Sequence, residues 1–485
     1  MPYAPSLRIG LCLLFLAKIT IACAFGPIHF LDTSGYTLFA DRILKDSRWL
    51  TQQGNAVDYN LVFRTAGYPL VIAAAKIIFG SSWAYAVLVV QALGSCLAFA
   101  PMMRILEATV ARRWIIWAAM VCYGFSGSTL FDSAILTDSL NASIFVAVVS
   151  GALGAGLGLW SLSPLILAGM GFLWGYGLWM RDAGVYLAVI PLGILAASFY
   201  RQRRSGPAIA CAGVIFIIPL VMMAGVYMGW NHYRTGHMTI GGTGHMNWLQ
   251  MPMYMEGRGY GHPFTGTDEV DEAVRRAAPQ DYDTLDAVAK VLAELRKAHG
   301  YNDRELGVVA SRKYFTTVRH HPIGFLRNTA HNFQPHATAF LLTNPLWNLN
   351  EFYQFGPGQG NRLLQDTRKM LRQLQANFTL SGLGLLIADS IARLISIILF
   401  ALFLIGVPIW AAITYGKQKH LNDNSYIAFT AWAGFMIFAG IYSAVYVEMR
   451  YFTPIIPLAL AAMALLVDRL VDFWSMRRLH RLARR

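Results

Sequence analysis

The chain alternates long apolar runs with short polar tips, most of them basic. Runs of about 17 to 24 apolar residues, the length that crosses a bilayer as a helix, fall at 7–30, 83–104, 114–131, 139–160, 163–180, 183–200, 207–229, 384–414, 425–447 and 453–468. A shorter run follows Arg64-Thr65-Ala66-Gly67-Tyr68-Pro69 and stops at Gly80-Ser81-Ser82. At about a dozen residues it is too short to span, so it predicts an amphipathic helix in the outer interface, with Pro69 in the first turn. Two long intervals, 31–82 and 230–383, carry no other membrane-length run. Within the second, Asp286 to His299 and Arg304 to Arg319 repeat apolar residues at helical spacing, while Gly241 to Gly244 and Gly356-Pro357-Gly358 read as turns.

The pattern therefore predicts an all-α integral membrane protein with about ten transmembrane helices, an outer interfacial helix and a helical extracytoplasmic cap. Three parts follow: a transmembrane module over 1–229 that includes the loop 31–82, the cap over 230–383, and C-terminal helices with a basic tail over 384–485.

Composition supports the membrane reading, since 56% of the 485 residues are hydrophobic and only 14% are charged, too few for a soluble enzyme. The run Leu7 to Phe30 is too long for a signal-peptide core and lacks a small-residue cleavage site, so it counts as a span. The net charge of +14 is concentrated in tips: Arg104, Arg112 and Arg113; Arg201, Arg203 and Arg204; Lys417 and Lys419; and Arg469 to Arg485. With both termini in the cytoplasm, all these clusters fall on the inner side, as the positive-inside rule requires. The basic excess thus marks orientation across a membrane, with membrane lipids and not nucleic acid as partners. The five cysteines lie in apolar runs without metal spacing and are expected to be buried small hydrophobes.

Several local patterns recur in one order. Asp32 follows the first span in Phe30-Leu31-Asp32-Thr33-Ser34-Gly35-Tyr36. Arg64-x-x-Gly67-Tyr68-Pro69 enters the interfacial helix, Leu136-Thr137-Asp138-Ser139-Leu140 opens a span, and Met180-Arg181-Asp182-Ala183-Gly184 precedes another. Tyr314 to Leu326 contains His321-Pro322, and Glu448-Met449-Arg450-Tyr451-Phe452 leads to Pro454 and Pro457. In these motifs and their topology the chain resembles the GT-C fold glycosyltransferases that use lipid-linked sugars, among them protein mannosyltransferases and lipid A aminoarabinose transferases. It departs from the mannosyltransferases in carrying Asp32-Thr33 where their first loop has two adjacent acids. The resemblance implies transfer of a sugar from a polyprenyl phosphate to an extracytoplasmic lipid, glycan or protein acceptor, with inversion.

Such a transfer needs a base for the acceptor hydroxyl and cations for the departing phosphate. Asp32 is the candidate base, because partial desolvation at a span exit raises a carboxylate's proton affinity; the alternative is a solvated helix end. Asp138 is the second candidate catalytic acid, with capping of its own helix as the competing account. Arg64 and Arg450 are candidate phosphate ligands, and each would otherwise serve by reaching lipid headgroups. Tyr36, Tyr68, Arg181 and Tyr451 complete the set as candidate substrate contacts, although Arg181 has Asp182 beside it as a ready ion-pair partner.

The histidines show no recognisable zinc spacing, so no cofactor is expected, and a divalent cation is left open. Asp389 and Arg393 are four apart, a spacing that allows an ion pair on one helix face. Gly151, Gly154, Gly156 and Gly158 lie in a span and fit close helix packing. The rival class is a transporter or flippase, which would need ionisable groups along a midplane route; the apolar runs carry few. An oligosaccharide ligase or polymerase would use the same outer face.

Overall fold

The computed structural model describes residues 5–45, 65–235, 238–241, 244–277, 282–348, 367–445 and 448–482. Among them the regular structure is helical, apart from one isolated bridge that pairs Ile28 with Ala134. Helix α1, Pro5–Phe25, ends where Gly26 takes φ +71° and Pro27 follows. A second helix, α2, then spans Leu31–Lys45. Asp32 consequently lies in the first turn of a new helix, and the first apolar run is shorter than expected because Gly26-Pro27 breaks it.

The predicted interfacial helix is α3, Gly67–Phe79, with Pro69 in its first turn. A 3₁₀ turn at Gly80–Ser82 joins it to α4, Trp83–Thr109. Much of α3 is buried against its neighbours, including Tyr68, Ile72 and Ala73. The expected span at 114–131 is two pieces, α5 (Arg113–Gly124) and α6 (Gly127–Asp132). The break lies at Ser126, whose hydroxyl accepts the Ser128 N–H at 3.2 Å as a helix N-cap does.

The closely spaced runs that follow form α7 (Asp138–Gly156), α8 (Pro164–Met180), the short α9 (Gly184–Leu187), α10 (Val189–Arg201) and α11 (Gly206–Thr235). Helices α8 and α11 approach closely at Gly171, where a Cβ would sit 2.0 Å from the Phe216 carbonyl oxygen. Between them and the C-terminal helices come α12 (Gly244–Gly257), α13 (Glu269–Ala277), α14 (Leu285–His299), α15 (Asp303–His320), α16 (Pro322–Phe333) and α17 (Pro335–Thr343). The remaining elements are α18 (Thr367–Ala376), α19 (Leu380–Ala401), a π turn, α20 (Val407–Gln418), α21 (Asp423–Ser443), a 3₁₀ turn at Met449–Ile455 and α22 (Ile456–Leu482).

Eight helical stretches among the described residues are long and apolar enough to cross a membrane, and α8 is a shorter apolar helix. The expected ten spans therefore map onto eight such stretches, α8 and the 12-residue α5. Their inner faces share a core in which Phe403, Phe435, Phe438 and Phe452 are fully buried. Their outer faces expose Val221, Met222, Ile391 and Leu394, the apolar exterior that a lipid environment matches. Cys12, Cys23 and Cys211 lie on that exterior, and only Cys96 of the five is buried, which corrects the expectation that all would be.

Helices α12 to α15 have a separate core containing Val270, Val274, Val288, Val291, Leu295 and Leu306. The amphipathic periodicity of α14 and α15 supplies it. Gly300 at φ +70° ends α14, and an Asn302/Glu305 capping box starts α15. Inside this unit the Lys313 ammonium is paired with Asp271 and with Asp268, the latter at 3.0 Å. The unit is tied to the C-terminal end of α21 through Tyr314 of α15, which donates to the Ala444 carbonyl at 3.1 Å, and the following helix α16 adds a bond from Asn332 to the Ser443 carbonyl at 2.9 Å.

Candidate functional site

Asp32 enters the site because Thr33 anchors the start of α2. The Thr33 hydroxyl accepts the Phe30 N–H at 3.0 Å and donates to the Ile135 carbonyl at 3.0 Å. That second bond attaches α2 to the linker between α6 and α7, which ends at Asp138. The two acids are thus brought together by a contact between residues 102 apart in sequence.

Arg181 is set by the Gly67-Tyr68-Pro69 motif. A Cβ at Gly67 would lie 2.6 Å from the Trp179 carbonyl carbon and oxygen, so only glycine lets α3 lie on the end of α8. Beside it the Thr65 hydroxyl donates to the Met180 carbonyl at 2.7 Å. Arg181, the next residue, leaves α8 with extended backbone, and its Nη1 donates to Asp138 Oδ1 at 2.7 Å. Asp138 is only 3% exposed and makes no capping bond to its own helix, whose N-cap is Thr137. Arg181 therefore takes Asp138, and not the adjacent Asp182, as its partner at this contact.

Arg450 arrives on the 3₁₀ turn that precedes α22, held by a 2.6 Å bond from the Thr453 hydroxyl to its carbonyl. Its Nη2 donates to Asp32 Oδ2 at 2.7 Å, and Glu448 forms a second ion pair with it. The carboxylate expected at a span exit is thus partnered by a guanidinium. Tyr451 joins the two pairs. The Arg181 guanidinium lies 4.0 Å from its ring centroid and that of Arg450 5.6 Å, both within cation–π reach.

Asp32, Asp138, Arg181, Arg450 and Tyr451 thus form one cluster of two carboxylate–arginine pairs on a shared aromatic ring. Burial by itself draws the Arg181 pKa down, but the Asp138 carboxylate and Tyr442, Tyr451 and Tyr36 raise it well above its ordinary value. Tyr36 is 7% exposed and lies edge-on to Tyr68 with ring centroids 5.4 Å apart. Tyr68 itself is fully buried and donates to Gln91 at 2.7 Å, which turns its hydroxyl toward the α6–α7 linker. Arg64 lies outside the described residues.

Two features escaped the sequence reading. Glu448 sits in the same motif as Arg450 and received no role, although an acid two residues from a candidate phosphate ligand was a signal. Lys18 lies in the middle of α1 and pairs with Asp132 at 2.6 Å, their side chains 0% and 2% exposed. This corrects the picture of spans almost free of charge, and a lysine deep in an apolar run is itself the signal. Asp389 and Arg393 form the expected i,i+4 pair at 2.7 Å. Among the described residues no group of three or more His, Cys, Asp or Glu side chains is placed to hold a metal ion.

No family model and no curated protein matches this chain. Two solved structures do. The crystal structure of ArnT from Cupriavidus metallidurans bound to undecaprenyl phosphate is similar over 95% of this chain and 77% of its own, at 10% identity and a TM-score of 0.32. The structure of the same protein in the apo state covers 94% and 78%, at 11% identity and a TM-score of 0.31.

Proposed function

We propose that the protein is an integral membrane glycosyltransferase that moves a sugar from a polyprenyl-phosphate donor to an extracytoplasmic acceptor. The observation that carries this reading is the pair of carboxylate–arginine contacts, Asp32–Arg450 and Asp138–Arg181, gathered on Tyr451. Neutralised pairs at helix ends suit a site that must receive an anion and then release a base. A donor phosphate competes for the guanidinium donors, which bind phosphate as well as carboxylate.

With Arg450 turned to the phosphate, Asp32 accepts the proton of the acceptor hydroxyl. The hydroxyl oxygen bonds to the anomeric carbon from the face opposite the phosphate, and the anomeric C–O bond breaks. Polyprenyl phosphate leaves with the electron pair, its charge held by Arg450 and Arg64. Asp138 holds Arg181 beside Arg450 on the Tyr451 ring. The inverted configuration follows from this single displacement.

In this reading residues 1–229 and 384–485 form the membrane body and 230–383 an extracytoplasmic cap. The basic tips and both termini face the cytoplasm of a bacterial inner membrane. A transporter would use a buried charge pair within the spans such as Lys18–Asp132, but that pair is enclosed by serine hydroxyls, which suits a fixed strut better than a route.

The test is comparative mass spectrometry of envelope glycans and lipid-linked sugars from cells with and without the protein. Loss of one glycan modification together with accumulation of its lipid-linked donor supports transfer. Unchanged glycans with lipid-linked sugar redistributed across the membrane would replace the reading with flipping.

A further inference from the structure

Lys18 and Asp132 take no part in the cluster just described, yet their bonds lead to it. One Asp132 oxygen accepts from Lys18 Nζ at 2.6 Å and from the Ser95 hydroxyl at 2.7 Å. Its other oxygen accepts from the Ser139 hydroxyl, and Ser139 is the residue after Asp138 in the first turn of α7. The carboxylate therefore ties together α1, α4 and the start of α7. Lys18 also donates to the Ser128 hydroxyl at 3.2 Å.

The linker that follows Asp132 is fixed along its length. Gln91 donates to the carbonyls of Asp132 and Ala134 at 2.9 and 2.8 Å, while its own oxygen accepts from Tyr68. Ile28 donates to the Ser133 carbonyl at 2.9 Å and accepts from the Ile135 N–H at 3.0 Å, and Thr33 takes the Ile135 carbonyl. One end of this bonded strip thus carries Asp138 and its side contact carries Asp32.

Stability alone does not account for the arrangement, because apolar residues of similar volume usually serve a buried core as well as a buried ion pair or better. A fully satisfied polar network does fix one geometry, since displacing any member leaves a buried polar group without its bond.

We propose that Lys18 and Asp132 are positioning residues that set the spacing of Asp32 and Asp138, acting through Ser139 and the linker 133–137. The role in turnover rests on the transferase reading above; the ordering of the linker does not. The same network assigns Tyr68 and Gln91 to holding the linker.

The test compares wild type with Lys18→Met/Asp132→Leu, which removes both charges at once and so strands neither, and with Asp132→Glu, which keeps the charge but lengthens the arm. Hydrogen exchange of the amides in 133–138 is measured beside donor-dependent turnover. The proposal expects lost protection confined to the linker and its contacts, the rest of the bundle exchanging as before. It expects kcat to fall about 100-fold, the scale of an ångström-sized misplacement, with KM for the donor within about twofold.

Wild-type exchange at the linker in both folded variants overturns the proposal, as does wild-type kcat in either. If the double variant does not fold, Asp132→Glu decides by the same two readings. If wild type transfers no sugar, the transferase reading fails, and exchange at 133–138 alone decides whether the pair orders the linker.

Discussion

Removing the arginine of the Asp138–Arg181 pair tests the geometry of the cluster where it is most buried. Arg181→Met keeps an unbranched apolar stem but leaves the Asp138 carboxylate, 3% exposed, without a guanidinium at 2.7 Å. Two unit charges about 4 Å apart interact by about 4 kcal/mol at an effective dielectric constant of about 20. Breaking a buried pair from one side costs about 3–5 kcal/mol, because the remaining charge stays desolvated. Asp138→Asn strands Arg181 less severely, since that side chain is 16% exposed and also lies on the Tyr451 ring. The double variant Asp138→Asn/Arg181→Met removes both charges, so it should be markedly more stable than the sum of the singles implies. The interaction energy should lie near the upper end of the range for contacting residues, about 3 kcal/mol. The assay is equilibrium unfolding of the four purified proteins in mixed micelles, followed by tryptophan fluorescence. Additivity within about 0.5 kcal/mol would refute the coupling, and with it the placement of Arg181 on Asp138.

Three further outcomes are expected. Arg64→Lys should depress turnover more than donor affinity, because a point-like ammonium lacks the planar donors of guanidinium; wild-type kinetics in a stable variant would leave Arg64 a headgroup anchor. Lys313→Met should destabilise the unit of α12 to α15 by about 3 kcal/mol at neutral pH by stranding the buried Asp271 carboxylate, while the half-exposed Asp268 keeps its water. Burial raises the Asp271 pKa above its ordinary value of 3.8 even with Lys313 nearby, and losing the lysine raises it further. A folded-state carboxyl pKa above the unfolded value means that stability is regained as pH falls through the folded pKa. The deficit should therefore shrink on acidification toward 3.8, and melting curves showing it constant would contradict the assignment. Single cysteines at Ser205 and Gln418 in a cysteine-free background should react only with reagents that enter the cytoplasm, and one at Thr267 from outside; labelling Ser205 and Thr267 from the same side would overturn the orientation.

Long apolar runs were legible in the sequence because a helix in lipid must satisfy its backbone internally and present apolar side chains outward. Each of those runs falls on helical segments, with the run 114–131 split in two and the first run ending at Phe25. The breaks at Gly26-Pro27 and Ser126-Gly127 were less legible, since a local turn inside an apolar stretch leaves the average hydrophobicity intact. The helices α14 and α15 could be read from periodicity and their caps. The site residues could be named from motifs, but their partners could not. Asp32 meets Arg450 across 418 positions and Lys18 meets Asp132 across 114, and no local pattern encodes such pairings. Tyr68 shows the same gap: its motif marked it as a substrate contact, whereas its hydroxyl holds Gln91. What glycine does at Gly67 is likewise visible only once α8 lies against it.

Single-turnover transfer by purified wild type and Asp32→Asn, with a polyprenyl-phosphate-linked sugar and its acceptor, decides whether Asp32 is the base of a sugar transfer. The substitution keeps the size of the side chain and removes the proton acceptor. Wild type should release polyprenyl phosphate as glycosylated acceptor forms, and Asp32→Asn should bind the donor but transfer about two to four orders of magnitude more slowly. Transfer at the wild-type rate by folded, donor-binding Asp32→Asn protein would contradict that role.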